Sequence, residues 1–151
     1  MITDKWDRRY LALARLVASW SKDPSTQVGA VLVSPDNHVI SVGYNGFPAG
    51  MDDAPERYNN RSEKYSRIIH AEMNALLCAP VGLHRSTLYT SLPPCDRCTV
   101  MLLQAGVHRF VSASVPIDVQ DRWQETITRS RQFVDECGGE DRKSTRLNSS
   151  H

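Results

Sequence analysis

Apolar side chains recur along the first twenty residues at intervals of four, three, four and three: Trp6, Tyr10, Leu13, Val17 and Trp20. That is one stripe of an amphipathic helix, with Thr3 or Asp4 placed to cap its start and Pro24 closing the segment behind it. The helical period then gives way to two short β-branched runs, QVGAVLVS and HVISVGYN, separated by Pro35-Asp36-Asn37. Their composition and the turn residues between them predict a β-hairpin. From Gly46 to Arg67 no period survives. The stretch is rich in Gly, Pro, Asn, Asp and charge, and so long an irregular segment inside one domain points to function or movement.

Order resumes at Ile68. His70 to Cys78 reads as a helix with Met73, Leu76 and Leu77 turned inward, ended by Pro80 and Gly82. TLYTSL, Thr87 to Leu92, reads as a strand, and Cys95 to Ala105 as a helix with Gly106 at its C-terminal cap. HRFVSAS reads as another strand. Val119, Trp123, Ile127, Val134 and Cys137 mark the inner face of a last long helix that stops at Gly138. The order α-β-β-α-β-α-β-α combines an antiparallel hairpin with right-handed parallel crossovers. It predicts an α/β domain of three layers, α/β/α, around a mixed central sheet.

Composition narrows the class. A chain of 151 residues is most simply one domain with a real core. Its hydrophobic content of 40 % and charged content of 23 % are those of a soluble globular protein. No apolar run approaches the ~20 residues of a membrane helix, and MITDKWDRRY lacks the apolar core of a secretory signal. Four cysteines, two of them in a CxxC, point to a reducing, cytoplasmic setting and to metal or redox chemistry rather than disulfides. A net charge of +1 offers no basis for broad binding to long nucleic acid or acidic membranes.

The ending, DRKSTRLNSSH (Asp141 to His151), has no apolar period and follows a natural stop at Gly138-Gly139. It also reads, codon for codon, as the translation of a common sequencing adapter. We read it as adapter-derived, with a genuine disordered polar tail as the alternative, and place the domain at residues 1–140. A final edge strand after Gly139 would then be missing. Removing Arg142, Lys143, Arg146 and Asp141 takes 18 Lys+Arg and 17 Asp+Glu to 15 and 16, a net of −1.

Two short motifs carry chemistry. In PPCDRC, Cys95 and Cys98 lie one helical turn apart directly after Pro94. Both sulfurs fall on one side of a helix start, where unpaired amides and the helix dipole favour thiolates. In IIHAEMNA, His70 and Glu72 stand two apart at the edge of an apolar run. Zinc takes thiolate and imidazole ligands, and a catalytic site uses three protein ligands and keeps a fourth position for water. His70, Cys95 and Cys98 supply three, and no further His or Cys stands at a spacing that obviously supplies a fourth. Zinc lowers the pKa of its water towards ~7, which gives Glu72 a task as the group that takes that proton and delivers it elsewhere.

H-x-E followed by P-C-x-x-C is the general signature of zinc-dependent nucleobase deaminases. Alone, the CxxC would serve as well for redox chemistry or structural zinc, and HAE as an ordinary helix start. Together, in this order and each at a predicted helix N-terminus, they favour the catalytic reading. Cys78 and Cys137 fall on inner helix faces and read as core residues. His38, His84 and His108 read as surface or capping residues.

With SKDPSTQVGAVLV (Ser21 to Val33), GYNGFPAG (Gly43 to Gly50), HAEMNAL (His70 to Leu76) and LYTSLPPCDRC (Leu88 to Cys98) in view, a resemblance emerges. From Trp6 to about Gly138 the chain resembles the cytidine/deoxycytidylate deaminase superfamily, and within it the deoxycytidylate deaminases. Free-cytidine deaminases typically carry a Cys where His70 stands, and tRNA adenosine deaminases normally lack the SKDPST and GYNG segments.

The resemblance implies hydrolytic deamination of dCMP to dUMP and ammonia, feeding thymidylate synthesis. Glu72 would move protons between water, the base N3 and the departing amine while the base is attacked at C4. The Ala71 amide would read the base carbonyl, and Asn45 would hold the sugar, since an amide offers both donor and acceptor. For the phosphate the candidates are Ser21 and Lys22, with Arg57, Arg61 or Lys64 from the loop. Some relatives hold a second zinc through Cys and His after GYNG. Residues 46–67 contain neither, so one catalytic Zn2+ per chain is expected. Many relatives are hexamers that respond to dCTP and dTTP, so a homo-oligomer with nucleotide effectors is expected, with no membrane and no long nucleic acid as partner. The alternatives are a deaminase of another free nucleotide or of a nucleic-acid base, or a non-catalytic zinc-stabilised nucleotide-binding module.

Overall fold

All five residues of β1 (Gly29–Val33) are buried, and the alternation of a pleated strand says why. Ala30 and Leu32 join one apolar cluster, while Val31 and Val33 join another on the opposite face. β1 is therefore covered on both sides. The computed structural model describes residues 4–115 and 117–144. In chain order its elements are α1 (Asp4–Ala18), β1, β2 (Val39–Tyr44), α2 (Pro55–Asn59), α3 (Arg61–Arg67), α4 (Ala71–Leu77), β3 (Thr87–Thr90), α5 (Asp96–Ala105), β4 (Arg109–Ala113), α6 (Ile117–Glu136) and β5 (Glu140–Ser144).

The sheet runs β2-β1-β3-β4-β5. β1 pairs antiparallel with β2 and β3, whereas β3–β4 and β4–β5 are parallel. Tyr10, Leu11 and Ala14 of α1 cover Val31, Val33, Tyr89 and Val111 on one face. On the other, Ala71 and Ala75 of α4, Cys98 and Leu102 of α5 and Val134 of α6 cover Ala30, Leu32, Leu88 and Phe110. This is the three-layer α/β/α arrangement with a mixed sheet that the element order predicts.

Several local expectations change. Residues 46–67 hold two short helices: Pro55 opens α2 at its first turn, and the Asn60 side chain accepts a hydrogen bond from the Glu63 amide to cap α3. The buried face of α1 is rotated from the expected stripe. Asp7, Leu11 and Ala14 are buried, and Trp20 lies beyond the helix, half exposed and edge-on to Tyr44. Asp7 is tolerated inside because Arg109 grips both its oxygens at 2.7 Å and the Tyr89 hydroxyl donates to it at 2.7 Å.

In α4, Met73 and Leu76 pack on the core, but Leu77 is exposed because it lies about 200° round the helix from the buried Ala75, and Cys78, at the C-cap, is exposed as well. Cys137 is exposed as well. Ile127 and Val134 of the expected α6 face are buried, and the side chain of Val119 lies outside the described residues.

Regular structure continues past residue 140. Glu140 to Ser144 form β5 on the open edge of β4, where unpaired backbone groups offer a ready partner. Arg142 there reaches Asp7 at 2.8 Å. A polar strand needs no apolar alternation at a sheet edge, so pattern alone misses it. Residues 145–151 lie outside the described residues. The adapter origin of 141–151 is a proposal about the gene, which resequencing the source locus tests.

One contact sets the height of α4 above the sheet. A Cβ on Gly43 of β2 would stand 2.4 Å from the Ala75 nitrogen and 2.5 Å from the Ala71 oxygen, both backbone atoms that cannot swing away. Glycine thus lets α4 lie directly on β2. Gly43→Ala is expected to cost about 1–3 kcal/mol through overpacking, a fall in Tm of about 3–10 °C. Gly82→Ala, where a Cβ meets nothing within 4 Å, serves as the control. Equal melting of the two variants would contradict this role.

Candidate active site

His70 and the two motif cysteines reach one point because two helices begin there. The chain enters α4 through a short bridge in which Gly46 and Ile69 exchange backbone hydrogen bonds of 3.1 and 2.8 Å. This pins Ile69, and His70 follows as the extended N-cap residue (φ −68°, ψ 153°). On the other side, Pro93-Pro94 hold the chain extended. Cys95 is the N-cap of α5, its sulfur accepting a hydrogen bond from the Cys98 amide at 3.4 Å. Gly106, at φ +107°, ends that helix in the left-handed region.

His70 Nδ1 lies 3.5 Å from the Cys95 sulfur and 3.3 Å from that of Cys98. All three ligand atoms lie within 4.8 Å of one another. A tetrahedral zinc with ordinary bond lengths separates a sulfur from a nitrogen ligand by about 3.6 Å. The spacing and the thiolate–imidazole donor set therefore fit zinc, with Nδ1 as the imidazole ligand. The trio also holds its protons unequally. A hydrogen bond from Cys98, helped by His70, brings the Cys95 thiol down to about 4, while the neighbouring Cys95 sulfur and burial push Cys98 up. The hydrogen bond with Cys95 raises His70.

Glu72 is 3 % exposed and sits in the first turn of α4, where helix amides favour a carboxylate. Burial nevertheless pushes its carboxyl above the usual range, with the His70 charge opposing that shift. Glu72 is thus a carboxyl beside the metal ligands that can hold a proton more readily than a surface glutamate.

A cavity of about 330 Å³ opens over this point. His70, Ala71, Glu72 and Cys95 line it from the two helix starts. Asp23, Thr26, Val28 and Asn45 form one side, Lys64, Tyr65 and Ile68 a second, and Leu92, Pro93, Trp123 and Thr126 close the rest. The volume lies at the lower end of the range for small-molecule pockets.

Of the expected substrate contacts, Ala71 and Asn45 line the cavity. The Ala71 amide is among those a helix start leaves without an intrahelical carbonyl. Asn45 is heavily engaged: its Oδ1 accepts from the Val28 amide at 2.9 Å, and its Nδ2 donates to the Thr26 oxygen at 2.8 Å.

Ser21 and Lys22 stand outside the lining. Ser21 is buried and donates to the Asn45 carbonyl at 2.8 Å; Lys22 is solvent-exposed and paired with Asp53 at 2.9 Å. Of the three loop cations, Lys64 alone lines the cavity. Arg57 binds Glu63 and the Asp52 carbonyl, and Arg61 lies over Tyr65.

Asp23, Trp123 and Thr126 enter the lining without having been singled out as site residues. Asp-Pro-Ser-Thr carries a signal for the first, since Asp23 Oδ1 accepts from Ser25 and Thr26 in a local Asx turn. Thr126 and Ser130 interrupt the apolar stripe of α6, which signals a polar seam on that face.

Comparison with known proteins agrees with this geometry. The family model for the cytidine and deoxycytidylate deaminase zinc-binding region matches residues 4–114. The chain belongs to that family. It is 38 % identical over 136 residues to an uncharacterised deaminase of Aliivibrio fischeri, covering 90 % of this chain and 91 % of the relative. With a probable deoxycytidylate deaminase of Caenorhabditis elegans it shares 43 % over 111 residues, covering 70 % of this chain and 55 % of the relative, about half of that protein's length. A dCMP deaminase of cyanophage S-TIM5, solved in complex with dCMP and dUMP, superposes with a TM-score of 0.73. That match covers 95 % of this chain and all of the phage protein at 23 % identity, a likeness of fold. No helix among the described residues is long and apolar enough to cross a membrane.

The metal-ligand assignment is directly testable. His70→Ala and Cys98→Ser are expected to weaken zinc by more than the roughly 10–100-fold that loss of an outer partner costs, measured by competition with a chromophoric chelator. Cys78→Ser and Cys137→Ser, at exposed positions away from the trio, are expected to bind zinc as the native chain does. Equal affinity across all four variants would refute the assignment.

Proposed function

We propose that this protein hydrolyses dCMP to dUMP and ammonia. The observation that carries the reading is one cavity with His70, Cys95 and Cys98 grouped for a metal and the buried Glu72 carboxyl beside them. Its relatives include proteins named as deoxycytidylate deaminases, and the phage protein of like fold binds dCMP and dUMP. When bound, zinc supplies a Lewis acid that makes water nucleophilic near neutral pH.

The chain's own residues do the rest. Glu72 lies too deep for bulk water to serve its carboxyl freely, so it is suited to take a proton from the attacking water and return it to the base. Deamination needs two such transfers: the water proton goes to N3 as C4 is attacked, and the proton of the new C4 hydroxyl goes to the amine as it departs and the carbonyl forms. A carboxyl raised by burial accepts and gives up a proton closer to neutrality than a solvated one does, which matches both halves of the task. The Ala71 amide offers a fixed donor to the base carbonyl. Asn45 retains a second acceptor lone pair on Oδ1 for a sugar hydroxyl. Val28, Ile68, Leu92 and Pro93 give the base apolar contact and limit water. Ser21 supports Asn45 from behind, and Lys22 ties its loop to Asp53.

A cytoplasmic, homo-oligomeric enzyme responsive to dCTP and dTTP belongs to the same proposal. Exposed Leu77 at the end of α4 and Val81 beyond it, with Val100 and Met101 on α5, supply apolar surface for assembly.

Ammonia release from dCMP should fall about 10²–10⁴-fold in Glu72→Gln, while zinc content, measured by atomic emission, matches the native protein. Activity within a factor of two of native at equal zinc would sink the proton-carrier role.

A further inference from the structure

Among the described residues that line the cavity, Lys64 is the sole Lys or Arg. Its ammonium lies 2.7 Å from Asp23 Oδ2 and 3.0 Å from Ser25 Oγ, and its side chain is only 14 % exposed. Lys64 is the main partner of Asp23 Oδ2, while Oδ1 is satisfied by the loop's own groups. Ser25 N and Ser25 Oγ donate to the Asp23 carboxylate at 2.9 Å each, Thr26 N at 3.3 Å and Asn45 Nδ2 at 3.4 Å. Placing a lysine there costs desolvation that such a pair seldom repays in stability. An ammonium has three donors, and Asp23 and Ser25 take two.

The position of Lys64 adds to the case. It comes from α3 and meets the Asp23 loop across the cavity wall, while His70, Glu72 and Cys95 line the same cavity from the helix starts. Ser21 and Lys22 are outside the lining, and Arg57 and Arg61 are engaged elsewhere. A nucleoside alone presents no anion for this charge to meet.

We propose that Lys64 is the specificity-determining residue for a phosphomonoester on the substrate: its third N–H takes a phosphate oxygen while Asp23 and Ser25 hold the ammonium in place. Asp23 is then a positioning residue that keeps a long, flexible side chain aimed at one place. The cavity thereby favours a nucleoside monophosphate over the free nucleoside. This rests on the deaminase reading above and deepens it by naming the group that reads the substrate's far end.

The test compares zinc-loaded native protein with Lys64→Met and Lys64→Arg. For Lys64→Met, kcat/KM for dCMP should fall about 10–100-fold more than kcat/KM for deoxycytidine, the range of a hydrogen bond to a charged group. Most of that loss should appear in KM, and Lys64→Arg should restore part of it. The Tm rise produced by dUMP, beyond that produced by deoxyuridine, should shrink in the same variant. A purely structural latch would instead change both substrates equally and leave the dUMP excess intact, which would overturn the proposal.

If Lys64→Met does not fold, the Asp23→Asn/Lys64→Met pair removes both charges and is read in the same way. Native protein that turns over neither dCMP nor deoxycytidine would defeat the deaminase reading. The comparison of dUMP with deoxyuridine would still decide the role of Lys64.

Discussion

Two helix N-termini facing one another at a distance set by their ligand atoms form the constraint on which the rest depends. His70 precedes α4 and Cys95 precedes α5, so a shift of either helix by an ångström would spoil the 3.3 and 3.5 Å separations between imidazole and sulfurs. Both helices are braced accordingly. On α4, Ser41 Oγ donates to the Ala75 oxygen at 2.6 Å and Asn74 Nδ2 to the Tyr44 oxygen at 2.8 Å, fastening the helix to β2 over the bare Gly43. On α5, the Asp96 amide donates to Thr126 Oγ1 at 2.9 Å. Ser130 Oγ bridges Thr99 and the Pro94 carbonyl, at 3.1 Å each. Apart from the exposed Asn74 bond, these join buried or part-buried groups, where an unmatched polar atom would be costly, so they fix geometry as well as adding stability.

The same braces shape the cavity. The α6 seam brings Trp123 and Thr126 to its wall, and Asp96 adds an ion pair of 2.7 Å with Arg129. Opposite, Asp23 and Asn45 form a polar hub that ties four backbone groups of the 23–28 loop to side chains, so this loop is positioned rather than loose. Between the two walls lies a carboxyl, Glu72, with little water around it and three metal-ligating groups beside it. Proximity of this kind contributes to catalysis by removing the need to assemble the reactants from solution.

Local chemistry was the part most legible in the sequence. HAE and PPCxxC are set by spacing within one helical turn, and their partnership follows from ligand chemistry, so His70, Cys95, Cys98 and Glu72 could be named without coordinates. The layer order was legible too, because β1 alternates between two cores. Contacts between distant residues were not. The buried Asp7 depends on Arg109, 102 residues away, and nothing near Asp7 announces that partner. Periodicity assigned Trp123 to an inner face but carried no information on whether that face meets core or cavity. The prediction of Leu77 as an inward residue placed the buried face one position off, since Ala71 and Ala75 hold it, and Cys78 falls at the C-cap, beyond the seven residues of the helix. Ser21 and Lys22 are polar enough to suggest phosphate contact, yet their backbone course turns one inward onto Asn45 and the other out to Asp53.

The central claim is a three-ligand zinc site that keeps one position for exchangeable solvent. Zinc K-edge X-ray absorption on the purified, zinc-loaded protein tests it most directly. The expected result is two sulfur scatterers at about 2.3 Å and two nitrogen or oxygen scatterers at about 2.0–2.1 Å, one of them from imidazole. A first shell with a single sulfur, or one saturated by four protein ligands, would contradict the account.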